Sequence, residues 1–155
     1  MSETEARNLH LVLEHFAAES AHDYRATLAT LSDEVQYRMV PLGWVMQGKD
    51  EVTRYYDLWW TAFPDVNIKV DRINAAGEWV IVECTSTSTH SGPFLGIPPT
   101  GRRVTTRVCC VIRVRDGKMV EEAVYYDQLE RLAQIGSAIT VDGHLIEFPR
   151  LAAAR

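Results

Sequence analysis

Two periodicities divide this chain. Over the first third, apolar residues recur mainly every three to four positions, and from about residue 66 they alternate. Leu9, Val12, Leu13, Phe16 and Ala17 follow the stripe of an amphipathic helix, which 20–23 interrupts. Tyr24, Leu28 and Leu31 share one side of a second, short helix, with Asp23 or Ser20 as its cap. Val35, Tyr37 and Met39 alternate with Gln36 and Arg38, which predicts a strand over 35–40, broken by Pro41 and Gly43. A short return follows at 44–47. The strongest helix lies over 48–63, with Val52, Tyr55, Tyr56, Trp59 and Phe63 as its buried stripe and Pro64 as its stop.

Beyond Pro64 the period is two. Val66, Ile68 and Val70 alternate with polar residues, and 78–90 and 103–115 are long β-branched runs. Arg115-Asp116-Gly117-Lys118 is a hairpin turn of the Asp-Gly kind, with 119–126 as its return strand. A last helix spans 127–135, with Leu129, Leu132 and Ile135 apolar and Gly136 as its stop. Asp127 and Glu130 have the spacing of a capping box at its start. Helices at the front and a meander at the back predict an α+β fold in one domain, residues 1–136. Residues 137–155 read as a tail packing on the sheet or on a partner subunit.

Composition removes several classes of function. Lys plus Arg is 16 against 21 for Asp plus Glu, a net charge of -5, which opposes binding to nucleic acid or to an anionic membrane surface. The longest apolar run, Val108–Ile112, is far short of the ~20 residues that span a bilayer. The first residues are acidic and lack the apolar segment of a secretory signal. The three cysteines, Cys84, Cys109 and Cys110, have neither zinc-finger spacing nor an even count. A cytoplasmic protein with reduced thiols is expected.

No phosphate loop, dinucleotide fingerprint, GxSxG or HExxH occurs, so no metal or organic cofactor is expected. His10 and His15 point in different directions on one helix and read as exposed, and His22 and His144 read as surface residues. The aromatic residues say more. Tyr55, Tyr56, Trp59, Trp60 and Phe63 crowd one helix and face a sheet carrying Tyr37, Trp79 and Tyr126. Hydroxyls and indole nitrogens in a core each need a partner. A helix–sheet gap lined by them suits a pocket with an apolar body and a few polar contacts.

The segment His90-Ser91-Gly92-Pro93-Phe94-Leu95-Gly96-Ile97-Pro98-Pro99-Thr100-Gly101-Arg102-Arg103 resembles the signature loop of SnoaL-like polyketide cyclases. The segment 113–136, RVRDGKMVEEAVYYDQLERLAQIG, resembles the family's closing hairpin and helix, in the same order and spacing. The resemblance covers about residues 5–136. It implies a cone-shaped α+β barrel, a curved antiparallel sheet packed on about three N-terminal helices, as in ketosteroid isomerase. It also implies a homodimer or higher homo-oligomer. The cyclases use an aspartate on the strand after the DGK turn, and that position here is Val124. An inward histidine of the preceding strand falls on Cys110, and two substrate-placing positions fall on Phe16 and Tyr55.

Strand alternation puts Glu122 and Tyr126 on the face of Val124, with Glu122 about 7 Å along the strand. Cys84, Ser86, Ser88 and His90 are expected inward and Glu83 outward. Glu122 and His90 are thus the candidate acid/base pair, and His90 also suits a loop anchor. Phe16, Tyr37, Tyr55, Trp59, Cys110, Val124 and Tyr126 are the candidate substrate-binding residues. The expected function is a cofactor-free cyclase, lyase or isomerase that transfers a proton at carbon of a small hydrophobic polyketide-like carbonyl compound. The alternatives are a non-catalytic small-molecule-binding protein and an epoxide hydrolase of the limonene type.

Overall fold

The computed structural model describes residues 1–136 and a short antiparallel pair, Thr140–Val141 with His144–Leu145. The packing expected of the tail 137–155 otherwise lies outside the described residues. Helix α1 (Glu3–Ser20) starts in a capping box: the Ser2 hydroxyl accepts from the Glu5 N–H, and the Glu5 carboxylate accepts from the Ser2 N–H. Its buried stripe is Asn8, Val12, His15, Phe16 and Glu19. This is rotated from the expected stripe, because Leu13 and Ala17 face solvent. The rotation is stable because the buried polar groups find partners; Asn8 Nδ2, for one, donates to the Gly77 carbonyl at 3.0 Å.

Helix α2 (Tyr24–Thr30) is capped by Asp23, whose carboxylate accepts from the Ala26 N–H at 2.9 Å. Ser20 ties α1 to the sheet instead, its hydroxyl accepting from the Ile68 N–H. Leu31, expected on α2, opens strand β1 (Leu31–Met39) and pairs with Met119. A 3-10 turn (Val40–Leu42) leads to β2 (Trp44–Gln47) and then to α3 (Lys49–Ala62). Four long strands follow: β3 (Asn67–Ala76), β4 (Trp79–Thr89), β5 (Arg103–Arg115) and β6 (Lys118–Tyr126). Helix α4 (Gln128–Gln134) follows, with Asp127 accepting from the Glu130 N–H.

The strands form one sheet in the order β2-β1-β6-β5-β4-β3. All neighbours are antiparallel except β1 and β6, which run parallel. The sheet is therefore mixed rather than wholly antiparallel as expected. Strand β1 reaches β6 through a long stretch of chain, so no hairpin dictates its direction. Between β5 and β6, Asp116 and Gly117 both have left-handed φ, 51° and 71°, as a two-residue type I′ turn needs. Helices α1 and α3 pack on the sheet at different places, α1 on β3 and β4 and α3 on β1 and β2. The result is an α+β cone whose core lies between helices and curved sheet.

Register builds the inner face in rows. Glu122 pairs with Tyr37 on one side and Ile112 on the other; one row along, Val124 pairs with Met39 and Cys110. The next row brings Tyr126 beside Val108 and Val108 beside Cys84. Trp79, expected to face the helices, lies half-exposed on the outer surface beneath Arg113, whose guanidinium is 5.4 Å from the ring centre. Alternation decides this, since the neighbouring Val80 takes the inward position.

Candidate active site

At the deep end of the cone three ionisable side chains meet. His15 and Glu19 lie one turn apart on α1, and Glu122 faces them from β6. All are buried, with Glu122 only 1% exposed and His15 fully enclosed. The Thr30 hydroxyl donates to the Thr27 carbonyl at 2.6 Å, which uses its single proton. It must therefore accept from His15 Nδ1, 2.7 Å away, and this assigns the Nδ1 proton. Nε2 is left facing Glu19 Oε1 at 3.4 Å and Glu122 Oε2 at 3.7 Å. The Tyr56 hydroxyl donates to Glu19 Oε1 at 2.6 Å and lies 3.5 Å from Nε2.

Glu122 is the group left over. Neither of its oxygens has a hydrogen-bond partner among the described residues. Burial pushes its carboxyl up to about 7; His15 opposes that shift, the nearby Glu19 reinforces it, and the neighbouring Cys110 thiol opposes it. Burial works against a charged His15, but Glu19 and Glu122 outweigh it, and the imidazole is net raised. His15 and Glu122 thus both hold a proton more tightly than usual, and their titrations are linked. Tyr37, Tyr55 and Tyr56 are raised well above their usual range, first by burial, and stay neutral donors.

The cluster opens onto a cavity of about 30 Å³ lined by Phe16, Tyr37, Tyr55, Trp59, Val124 and Tyr126 among others. A second cavity of about 60 Å³, bounded by Trp44, Leu58 and Phe94, shares Met39, Tyr55, Trp59, Tyr126 and Arg131 with the first. The two cavities adjoin at those shared residues, which form a neck between them. As it stands, the inner chamber has room for little more than a water. A ligand of polyketide size needs the mouth to widen, and the mouth is made of side chains that can move, the half-exposed Trp44 and Leu95 and the exposed Leu58.

All seven expected substrate-binding residues, Phe16, Tyr37, Tyr55, Trp59, Cys110, Val124 and Tyr126, line the inner cavity, and so does Glu122. His90 does not join them. Its ring packs between Phe63 and Phe94, Nδ1 lies 3.0 Å from the Thr100 hydroxyl, and its backbone N–H donates to the Arg102 carbonyl. Burial lowers its pKa, so it stays neutral. The structure places it as the anchor of the 91–102 loop and does not bring it to Glu122. The histidine beside Glu122 is His15, which was expected to be exposed. Polarity hid it: an i, i+4 pair of His and Glu reads as a solvated helix face unless the tertiary partner is known. Arg131 was missed for the same reason. The Cys110 thiol is held well above its ordinary range, first by the neighbouring Cys84 and then by burial. Among the described residues, no group of three or more His, Cys, Asp or Glu side chains is arranged to hold a metal ion.

The sequence model of the SnoaL-like polyketide cyclases matches residues 10–135. This chain belongs to that family. A protein of Jannaschia sp. CCS1, provisionally described as a SnoaL-like polyketide cyclase, is similar at 23% identity over 87% of this chain and 95% of its own, with a TM-score of 0.82. AclR of Streptomyces galilaeus, provisionally described as a hydroxylase, shares 28% identity over 85% of this chain and 82% of its own, with a TM-score of 0.76. A Catenulispora acidiphila protein with a ketosteroid-isomerase-like fold, solved with trimethylamine, shares 17% identity over 82% and 92%, with a TM-score of 0.73. No curated protein matches the chain.

Proposed function

We propose that the protein is a cofactor-free enzyme that moves a proton at carbon of a small hydrophobic carbonyl compound, leading to cyclisation or isomerisation, with Glu122 as the general base. The carrying observation is Glu122 itself: buried in the cavity, without a hydrogen-bond partner among the described residues, and with a carboxyl poised at about 7. A base is most effective when its pKa lies near the working pH. Leaving a carboxylate unsatisfied in a core is costly, and a cavity wall that exists only for packing would hold an apolar residue there. Position 124 is then no obstacle. The base enters from the same face of β6, one row deeper, and His15 takes the part of a proton reservoir.

The enzyme reading is favoured over a binding protein because a binding site has no need of a buried carboxyl poised near neutrality beside an imidazole. The limonene-type hydrolase reading needs an arginine set between two carboxylates. Arg131 is inward, but among the described residues it makes no ion pair with Glu19 or Glu122. The test is deuterium exchange into enolisable β-dicarbonyl compounds in D₂O, followed by proton NMR. Wild-type protein should accelerate exchange, and Glu122→Gln should lower the accelerated rate by a factor on the order of 10² to 10⁴. Equal rates from the two proteins would leave the binding protein as the better reading.

The assembly belongs to the same proposal. The outer sheet face carries half-exposed Trp79, Ile81 and Tyr125 around Cys109 and Val111, rimmed by Arg113 and Glu83. An apolar centre with a charged rim suits a sheet-to-sheet homodimer. Light scattering at micromolar concentration should give twice the chain mass, and Ile81→Lys should halve it. The three free cysteines suit a reducing, cytoplasmic compartment. Among the described residues, no helix is long and apolar enough to cross a membrane.

A further inference from the structure

Among the described residues, Arg131 is a buried cation with no carboxylate opposite it. The residue is 6% exposed, on a helix turn that places its guanidinium at the neck between the two cavities. Among the described residues no carboxylate lies within ion-pairing distance. Its one polar contact among them is a long hydrogen bond from Nε to the Thr106 hydroxyl at 3.4 Å. One face of the guanidinium covers the Tyr126 ring, 3.9 Å from its centre. The Tyr126 hydroxyl is itself buried without a hydrogen-bond partner among the described residues. A guanidinium has five donors in a planar fork, and among the described residues the two terminal nitrogens make no hydrogen bond, which leaves them to meet two oxygens side by side. Taking such a charge out of water is costly unless a counter-charge arrives.

We propose that Arg131, with the Tyr126 hydroxyl beside it, receives a planar pair of oxygens that share a negative charge, so that the substrate is an organic acid of the carboxylate or ionised 1,3-dicarbonyl type. Held at the neck, such a group would leave the carbon next to it directed into the inner chamber that Glu122 lines, with the apolar remainder in the outer chamber. The inference builds on the proton-transfer reading for its catalytic meaning, but its binding claim stands apart from Glu122.

The experiment is calorimetric titration with matched probes: benzoate against benzamide for the carboxylate arm, and dimedone, ionised at neutral pH, against its neutral O-methyl ether for the dicarbonyl arm. In at least one arm the anion should bind wild-type protein 10- to 100-fold more tightly than its neutral partner. The arm that shows the preference names the acid. Arg131→Met should abolish the preference, Arg131→Lys should keep part of it, and Glu122→Gln should leave it intact. That last variant separates the two claims, since it removes the base and not the anion receptor. Thermal unfolding of the ligand-free variants supplies a second readout. Arg131→Met should be at least as stable as wild type, because an uncompensated charge has been removed. Equal binding of anion and neutral partner in both arms, or no binding by either anion, overturns the proposal. So does an anion preference that survives Arg131→Met, or a marked loss of ligand-free stability, which would assign Arg131 to holding Thr106.

Discussion

His15 and His90 are both fully enclosed, yet they sit in opposite chemical surroundings. Around His90 are two aromatic rings, a threonine hydroxyl and backbone groups, and its net shift is the downward one that burial imposes. Around His15 are two carboxyls and a tyrosine hydroxyl, and the net shift is upward. The same side chain is thus a neutral packing piece at the mouth of the loop and an exchangeable charge at the bottom of the cone. Burial alone does not mark a catalytic group; burial together with a competing ionisable neighbour does.

The largest test of this contrast replaces each histidine in turn. His15→Asn keeps a donor for Thr30 but removes the ring nitrogen that faces Glu122. Without that positive neighbour the Glu122 carboxyl rises further, so the ascending limb of the exchange rate moves to higher pH. A shift of one unit or more lowers the rate at pH 6 roughly tenfold, and raising the pH recovers it. His90→Ala should leave the pH profile of exchange where it is. It should instead destabilise the fold by about 2 to 4 kcal/mol, from the lost ring packing against Phe63 and Phe94 and the lost bond to Thr100. A shifted pH profile in His90→Ala, or an unshifted one in His15→Asn, would break the distinction.

A smaller effect sharpens it through stability alone. Glu122 has a folded-state pKa of about 7 against an ordinary value of 4.5, and His15 is also raised. A raised pKa means that the folded protein binds protons more tightly than the unfolded chain. The associated stability is present below the unfolded pKa and is lost as pH rises through the folded one. Wild-type protein should therefore lose stability between about pH 4.5 and 7.5 by an amount on the order of 3 kcal/mol. Glu122→Gln, which cannot ionise, should flatten most of that slope and be the more stable protein at pH 8. Melting temperatures at pH 5 and pH 8 give both comparisons. A wild-type curve flat across this range would mean that Glu122 is already ionised in the fold.

Much of the cone is legible in the sequence because its strands obey a strict alternation. Glu122, Val124 and Tyr126 share a face by counting alone, and the Asp116-Gly117 turn fixes where β5 becomes β6. The signature loop and the closing hairpin carried the family. Helix α1 was less legible, since its buried stripe holds Asn8, His15 and Glu19, which local pattern assigns to solvent. Their partners, Gly77, Thr30, Tyr56 and Glu122, come from elsewhere in the chain, and only the folded chain shows that they meet. The pairing of His90 with Glu122 follows from the same gap. His90 is the inward histidine visible by strand alternation, while the one that reaches Glu122 comes from a helix.

Whether Glu122 holds a proton near neutral pH decides its role as a poised base, and this can be measured without knowing the substrate. Infrared difference spectra across a pH titration, with Glu122→Gln as the reference, isolate the carbonyl stretch of that protonated carboxyl. The expected band is absent from the variant and disappears from the wild-type protein with a midpoint at about pH 7. A midpoint near the ordinary 4.5 would contradict this, because Glu122 would then be a plain carboxylate at working pH and no poised base.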